Sequence, residues 1–188
     1  LIPIEFNNHF PIKVKRVLEI RTLDGLNALF LSRLFNDAKI ITLDLPDDND
    51  MFIKTHNRGE KENRKKFISN RDKVISLGKN IEFIKKNSIN YLTTNKEKFD
   101  LIWVDGAHGS PDVVIDICNP LHSINKNGFI ICDDIFTKKI EDDQIYKSTA
   151  GFKTLLSFAN AGIIKKFNLV IKKFNNIKNL SQLLMQII

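Results

Sequence analysis

The sequence has no apolar run long enough to cross a membrane, since a transmembrane helix needs about 20 consecutive apolar residues. Its first residues also lack the basic region and apolar core of a signal peptide. We therefore expect a cytoplasmic protein with no membrane partner. Cysteine is scarce as well. Cys118 and Cys132 both lie in apolar surroundings, and neither has a second ligand at metal-binding spacing, so they are typical of buried free thiols in a reducing compartment.

The sequence also lacks a continuous stripe of basic residues. The net charge is +7, but the lysines are scattered through a chain crowded with Lys, Asn and Ile, as translation of an AT-rich genome would give. Basic composition favours non-specific association and does not define a fold. Binding or modification of nucleic acid is therefore kept only as an alternative function.

The length and composition indicate one soluble domain. A chain of 188 residues with 43% hydrophobic and 27% charged residues can bury a full core. We expect a single domain over residues 1–188, opened by an irregular lead-in over 1–13. A polar insertion covers 46–80, and the tail over 175–188 fits either a seventh strand or an amphipathic helix.

The first half of the chain contains a strand, a helix and a second strand. The apolar run over 15–20 predicts a buried strand, and apolar spacing then predicts a helix up to Leu34. A second strand over 39–43 ends at Asp44. Asp44 lies about 20 residues after Gly25, the offset at which an acid meets ribose hydroxyls in dinucleotide-type βαβ units.

The second half repeats this arrangement with acids at the strand ends. Apolar runs over 101–104 and 129–132 flank a stretch of helical spacing, which is typical of a βαβ unit in a parallel sheet. Asp105 follows the first run, and Asp133 and Asp134 follow the second. Ligands bind beyond the carboxyl ends of such strands. These acids therefore predict a site.

Further strands are expected over 81–84 and, at the sheet edge, over 163–174, with a helix over 150–161. The polar segment over 46–80 has little apolar surface, so our preferred interpretation of its first part is a mobile surface loop, followed by a helix. The alternative is a lid that orders over the substrate.

Five ordered motifs resemble class I S-adenosylmethionine-dependent methyltransferases, and within them the small-molecule O-methyltransferase-like branch. They are LEIRTLDG (18–25), LDLP (43–46), KNS (86–88), DLIWVDGAH (100–108) and NGFIICDD (127–134). The resemblance implies an α/β fold with a Rossmann-like, doubly wound, mostly parallel sheet of six or seven strands flanked by helices. It also implies methyl transfer from S-adenosylmethionine to a hydroxyl of a small-molecule acceptor.

The resemblance further implies which residues bind the cofactor. Asp44 would hold the ribose, and Asp105 would face the reacting methyl group. The full set is Glu19 near the methionine portion, Arg21, Thr22 and Gly25 in the turn, Asp44, Asn87 and Ser88 beside the adenine, and Asp105. We expect Glu19, Asp44, Asn87 and Asp105 to converge on one crevice.

Two residues depart from the family pattern. Arg21 replaces its first motif glycine, and Asn87 replaces an acid. A bulky side chain in the turn would crowd a ligand or force the turn outwards. The alternative function is therefore a non-catalytic, degenerate ligand-binding protein of the same fold. The oligomeric state stays open, with a homodimer as one alternative.

The clustered acids also suit a metal ion. Asp105, Asp133 and Asp134 offer hard oxygen ligands of the kind that Mg²⁺ prefers, and a bound cation would lower the pKa of an acceptor hydroxyl. The alternative is that Asp133 or Asp134 caps a turn. With Asp105, His108 is the candidate catalytic residue, as a general base, and the alternative is a loop histidine bonded to backbone.

Overall fold

The structure is a computed structural model that describes residues 12–137, 148–174 and 177–187, with side chains up to residue 165. The lead-in over 1–13 therefore lies almost entirely outside the described residues. The chain divides into two compact units, the first ending at Tyr91 and the second beginning at Leu92. The assignment of a single domain stays a prediction.

The first unit contains three parallel strands in the order β3-β2-β1. They are β1 (Arg16–Ile20), β2 (Lys39–Asp44) and β3 (Ile81–Lys85). The apolar residues of β1 and β2 are almost all buried, as expected for strands covered on both faces. The register pairs Glu19 with Thr42, so the polar residues of β1 and β2 meet near the carboxyl ends of their strands.

Three helices connect these strands. The helix α1 (Leu26–Leu34) joins β1 to β2, and α2 (Asp50–Lys54) and α3 (Lys61–Ile75) follow β2. The expectation of a loop over the first part of 46–80 is therefore wrong. The segment has a buried interior because the side chains of Phe52 and Arg71 are only 1% and 0% exposed. Arg71 adds to the small apolar content of this segment.

The second unit contains four strands in the order β4-β5-β7-β6. The strands β4 (Phe99–Val104) and β5 (Ile124–Ile135) are parallel, and β6 (Ile164–Phe174) and β7 (Ile177–Ile187) are antiparallel. The expected edge strand over 163–174 is confirmed. The tail that the sequence left open forms a strand.

The helix after β4 is shorter than the apolar spacing of the sequence suggests, whereas the expected helix over 150–161 is confirmed to within one residue. The helix α4 (Ser88–Thr94) contains the boundary between the units, and α6 (Ala150–Asn160) precedes β6. The helix α5 (Asp112–Cys118) passes into a 3-10 helix at Asn119–His122. Pro120, which has no backbone N–H to donate, lies at this transition and explains why α5 ends at Cys118.

The expected fold class is confirmed. The described residues form seven strands, of which five pair in parallel, with helices between them. Within the same residues, no helix combines the length and the apolar composition that a bilayer span requires.

Candidate functional site

A hydrogen-bond chain organises the carboxyl end of β1. Glu19 is 1% exposed, and its carboxylate accepts hydrogen bonds from Nδ2 of Asn27, at 2.7 Å, and from the Thr42 hydroxyl. Because the Thr42 proton is used in this way, the Thr22 hydroxyl donates to Thr42 across 2.6 Å. A buried carboxylate is tolerated when it is hydrogen-bonded in this way. Glu19 therefore ties the turn after β1 to β2.

The turn after β1 has a left-handed backbone at a residue that is not glycine. Arg21 has φ 81°, and its backbone N–H donates to the Leu43 carbonyl at 2.8 Å. Its guanidinium lies 2.7 Å from Nε2 of His56, in the turn between α2 and α3. Since arginine is always protonated, Arg21 donates and His56 accepts. The side chain of Arg21 thus extends to that turn.

Gly25, by contrast, is required at its position. It caps α1 with φ 81°, and a Cβ atom there would lie 3.0 Å from the Ile75 side chain and 3.4 Å from the Arg71 carbonyl oxygen. Both the backbone conformation and the close approach of α3 exclude a larger residue. Gly25 therefore allows α1 and α3 to pack together.

Asp44, at the end of β2, has both carboxylate oxygens engaged by backbone. Oδ2 accepts from the Leu23 N–H at 3.0 Å, and Oδ1 accepts from the Leu45 N–H at 2.8 Å. Burial raises the pKa of Asp44 above its ordinary value, although these bonds and the charges of Arg58 and Arg71 act to lower it. Each oxygen retains a further lone pair, so the carboxylate can accept two hydroxyl protons from a vicinal diol.

Three residues beyond Asp44, a second acid pairs with two cations. The Arg71 guanidinium contacts both oxygens of Asp47, at 2.7 and 3.3 Å, and Nζ of Lys85 lies 2.5 Å from Oδ2. Burial raises the pKa of Asp47, but the hydrogen bonds from Arg71 and Lys85 outweigh it and hold the pKa below its ordinary value. This ion pair fixes α3 to the loop after β2.

The two residues predicted to lie beside an adenine ring follow β3. Oδ1 of Asn87 accepts from the Ile89 N–H at 2.9 Å, so Asn87 caps α4. Ser88 is the first residue of that helix. Asn87 keeps its amide N–H groups available for another acceptor, because this cap uses only its oxygen.

In the second unit, two acids gather around one histidine. Nε2 of His108 lies 3.9 Å from Oδ1 of Asp105 and 3.7 Å from Oδ2 of Asp134. One ligand atom from each of the three lies within 4.8 Å of the other two, close enough to surround a single metal ion. Asp105 follows β4 and Asp134 lies near the end of β5, as the sequence predicted.

Asp133 and Asp116 support the backbone of this unit. Oδ1 of Asp133 accepts from the Asp134 N–H at 2.8 Å, and Asp134 has φ 51°. In the part of the chain that the structure describes, the metal-type group does not include Asp133. Asp116 is buried, and its Oδ2 accepts from the Ala107 N–H at 3.2 Å, in the loop that carries His108.

The first unit therefore brings together the predicted residues Glu19, Thr22 and Asp44, whereas Asp105 belongs to the second. The convergence of Asp105 with Glu19, Asp44 and Asn87 stays a prediction. Sequence reasoning did not single out the functions of four residues, which are Asn27, Thr42, Arg58 and Asp116. Asn27 and Thr42 were detectable as polar residues beside the β1–α1 turn, but Arg58 lies in a run of charged residues and carried no signal.

Comparisons with known proteins identify the family of this chain. A family model described as a methyltransferase domain matches residues 18–135. The chain belongs to this methyltransferase family. No curated protein sequence matches it.

Solved structures, including two O-methyltransferases, share the fold. A cofactor-bound protein from MTB, Rv0187, has a TM-score of 0.66 and 16% identity over 95% of this chain and 75% of its own. An O-methyltransferase from Bacillus cereus, in complex with SAH, has a TM-score of 0.64 and 14% identity over 93% and 74%. The O-methyltransferase TomG from Streptomyces achromogenes, in complex with SAM, gives 0.59 and 16% over 93% and 74%. The methyltransferase described here therefore has a Rossmann-like fold.

Proposed function

We propose that this methyltransferase transfers the methyl group of S-adenosylmethionine to a hydroxyl of a small-molecule acceptor. The observation that carries the proposal is the Asp44 carboxylate, fixed at the end of β2 by two backbone N–H groups. Its remaining lone pairs suit the two hydroxyls of a ribose. The solved O-methyltransferases from Bacillus cereus and Streptomyces achromogenes, which are in complex with SAH and SAM respectively, support the same cofactor.

The first unit supplies the residues that would hold the donor. Asp44 accepts from the ribose, and the amide of Asn87 is available to an adenine nitrogen. Glu19 acts on the turn that carries Thr22, which it positions through Thr42. Arg21 replaces the family glycine, and its side chain points to His56. This departure from the family pattern therefore does not by itself remove the donor site.

The second unit supplies the residues that would activate the acceptor. The acceptor oxygen forms a bond to the methyl carbon while the carbon–sulfur bond breaks, and the electron pair of that bond returns to sulfur. S-adenosylhomocysteine leaves, and the hydroxyl proton must be removed. Asp105, His108 and Asp134 are the described groups of this unit that we assign to this task.

The same three residues fit a divalent cation. Two carboxylates suit Mg²⁺ or Mn²⁺, and an imidazole nitrogen favours a transition metal such as Mn²⁺. When bound, the cation would lower the pKa of a coordinated hydroxyl. Asp105, Asp134 and His108 would then be ligands. If no cation binds, His108 keeps the role of general base beside its two carboxylates.

Isothermal titration with S-adenosylhomocysteine tests the donor site. We expect micromolar binding by the wild-type chain and a loss of about 100-fold in Asp44→Ala, since hydrogen bonds to a charged group contribute about 1.5–3 kcal/mol each. Asp48→Ala is the matched control, because Asp48 is an exposed acid in the loop after β2. No heat with the wild-type chain would refute the proposal.

Binding without turnover would favour the non-catalytic alternative. Transfer of a labelled methyl group to a panel of small hydroxyl compounds, with and without Mn²⁺, separates the two functions. A ligand-binding protein would retain the donor affinity and transfer no label. Preferential labelling of RNA in the same assay would instead support the nucleic-acid alternative.

A further inference from the structure

Arg58 is a buried cation with an unsatisfied donor. Its side chain is 4% exposed, and its Nη1 atom is closed to solvent with no hydrogen-bond partner. Buried donors in native proteins are nearly always paired, because leaving one unpaired is costly. An unsatisfied donor held in a defined position therefore needs a structural or functional explanation.

The rest of the guanidinium is held firmly. Nε donates to the Thr55 carbonyl at 3.1 Å, and Nη2 donates to the Thr55 hydroxyl. The guanidinium carbon lies 3.8 Å from the centre of the Phe52 ring and 4.8 Å from that of Phe67. Two aromatic rings and two hydrogen bonds therefore fix the plane of the guanidinium. Neither hydrogen bond uses Nη1.

The α2–α3 turn that carries Arg58 is tied to the candidate donor site. His56, two residues earlier, accepts from Arg21 in the turn after β1. The charge of Arg58 also acts on Asp44: beneath the larger effect of burial, it lowers the pKa of that carboxyl more than the charge of Arg71 does. The unsatisfied donor and the ribose-type acceptor thus belong to one neighbourhood of the first unit.

We propose that Arg58 is a further ligand-binding residue, whose Nη1 donates a hydrogen bond to a ribose hydroxyl that itself donates to Asp44. This inference rests on the proposed function and adds a specificity residue to it. A hydroxyl both donates and accepts hydrogen bonds. A carboxylate beside an N–H group therefore offers it one acceptor and one donor. Because Nη1 is closed to solvent in the ligand-free chain, binding requires a small movement of the α2–α3 turn.

The test is titration of the wild-type chain and of Arg58→Met with S-adenosylhomocysteine and with its 2′-deoxy and 3′-deoxy analogues. Arg58→Met keeps a long side chain between Phe52 and Phe67 but has no donor. We expect it to bind S-adenosylhomocysteine about 10-fold more weakly than the wild-type chain. With the analogue that lacks the contacted hydroxyl, the penalty should fall below about 2-fold, because the partner is gone.

Two further variants sharpen the result. Arg58→Lys keeps the charge without the planar fork, and it also serves if Arg58→Met does not fold. Arg64→Met is the matched control, because Arg64 donates to the Arg58 carbonyl at 3.0 Å and supports the same turn. We expect a loss of affinity in Arg58→Lys and little change in Arg64→Met.

Three outcomes would overturn the inference. An equal penalty for all three ligands would mean that Arg58 acts only through the fold, and full affinity in Arg58→Lys would mean that any cation near Asp44 suffices. Unchanged affinity in Arg58→Met would mean no contact. Failure of the wild-type chain to bind S-adenosylhomocysteine is a different result, because it removes the proposed function itself.

Discussion

The two units treat their strand-end carboxylates differently. In the first, Asp44 and Asp47 lie among the permanent cations Arg58 and Arg71 and are bonded to backbone N–H groups or to guanidinium. In the second, Asp105 and Asp134 face an imidazole. Carboxylates already compensated by guanidinium suit a neutral hydroxyl ligand, whereas a pair facing a histidine suits a metal ion or a proton. The same strand-end position therefore supports two kinds of chemistry.

The largest expected effect concerns metal binding by the second unit. Asp134→Ala should lower the affinity for Mn²⁺ by about 100-fold, since it removes a charged ligand from a set of three. Electron paramagnetic resonance of free Mn²⁺ during a titration measures this directly. Asp133→Asn is the control, with an expected change below about 2-fold, because its amide oxygen can still accept from the Asp134 N–H.

If Asp133→Asn also abolished Mn²⁺ binding, the metal ligands would be the three acids that the sequence suggested. If Asp44→Ala weakened Mn²⁺ binding as much as Asp134→Ala, the contrast between the units would fail. No Mn²⁺ binding by the wild-type chain would leave His108 as a base.

A smaller effect concerns stability in the first unit. Asp47→Asn should lower the free energy of unfolding at pH 7 by about 1–3 kcal/mol, because the buried Arg71 loses its shorter ion pair and keeps the more exposed Asp72. Urea unfolding measures the loss. Asp48→Asn is the control, since Asp48 is exposed in the same loop.

The pH dependence of that loss follows from the pKa of Asp47, which is lowered in the folded chain. The stabilisation is complete above the unfolded-state pKa, about 3.9 for aspartate. It disappears as the pH falls through the folded-state value. Wild type and Asp47→Asn should therefore differ fully at pH 6–7 and converge only once the pH has fallen below the lowered folded-state pKa of Asp47. A difference that persisted in strong acid would contradict the role assigned to this ion pair.

The smallest effect concerns the turn after β1. Arg21→Gly should raise the free energy of unfolding by about 1 kcal/mol, because a left-handed backbone costs an L-residue about 1–2 kcal/mol and glycine recovers most of it. Arg21→Ala keeps the Cβ atom and removes the side-chain bond to His56, so it should give no gain. Equal stability of the two variants in chemical denaturation would show that the backbone at Arg21 is not strained.

The sequence predicted the strands because their apolar runs are too short for typical helices, and a run such as RVLEI fits a buried strand. It also placed Asp44, Asp105 and Asp134 at strand ends, because the carboxyl end of a parallel strand follows directly from the strand assignment. The segment over 46–80 was misjudged. Its interior depends on Arg71, whose burial is tolerated because Asp47, distant in sequence, pairs with it in addition to the neighbouring Asp72.

The sequence by itself determined the order of strands and helices and the acids that follow them, since both depend on neighbours along the chain. Only the tertiary structure decided which side chains those acids meet: Arg71 for Asp47, His108 for Asp134, and backbone N–H groups for Asp44. The unsatisfied Nη1 of Arg58 likewise follows only from the tertiary structure. Burial and pairing are set by distances through space, and no local pattern of residue types encodes them.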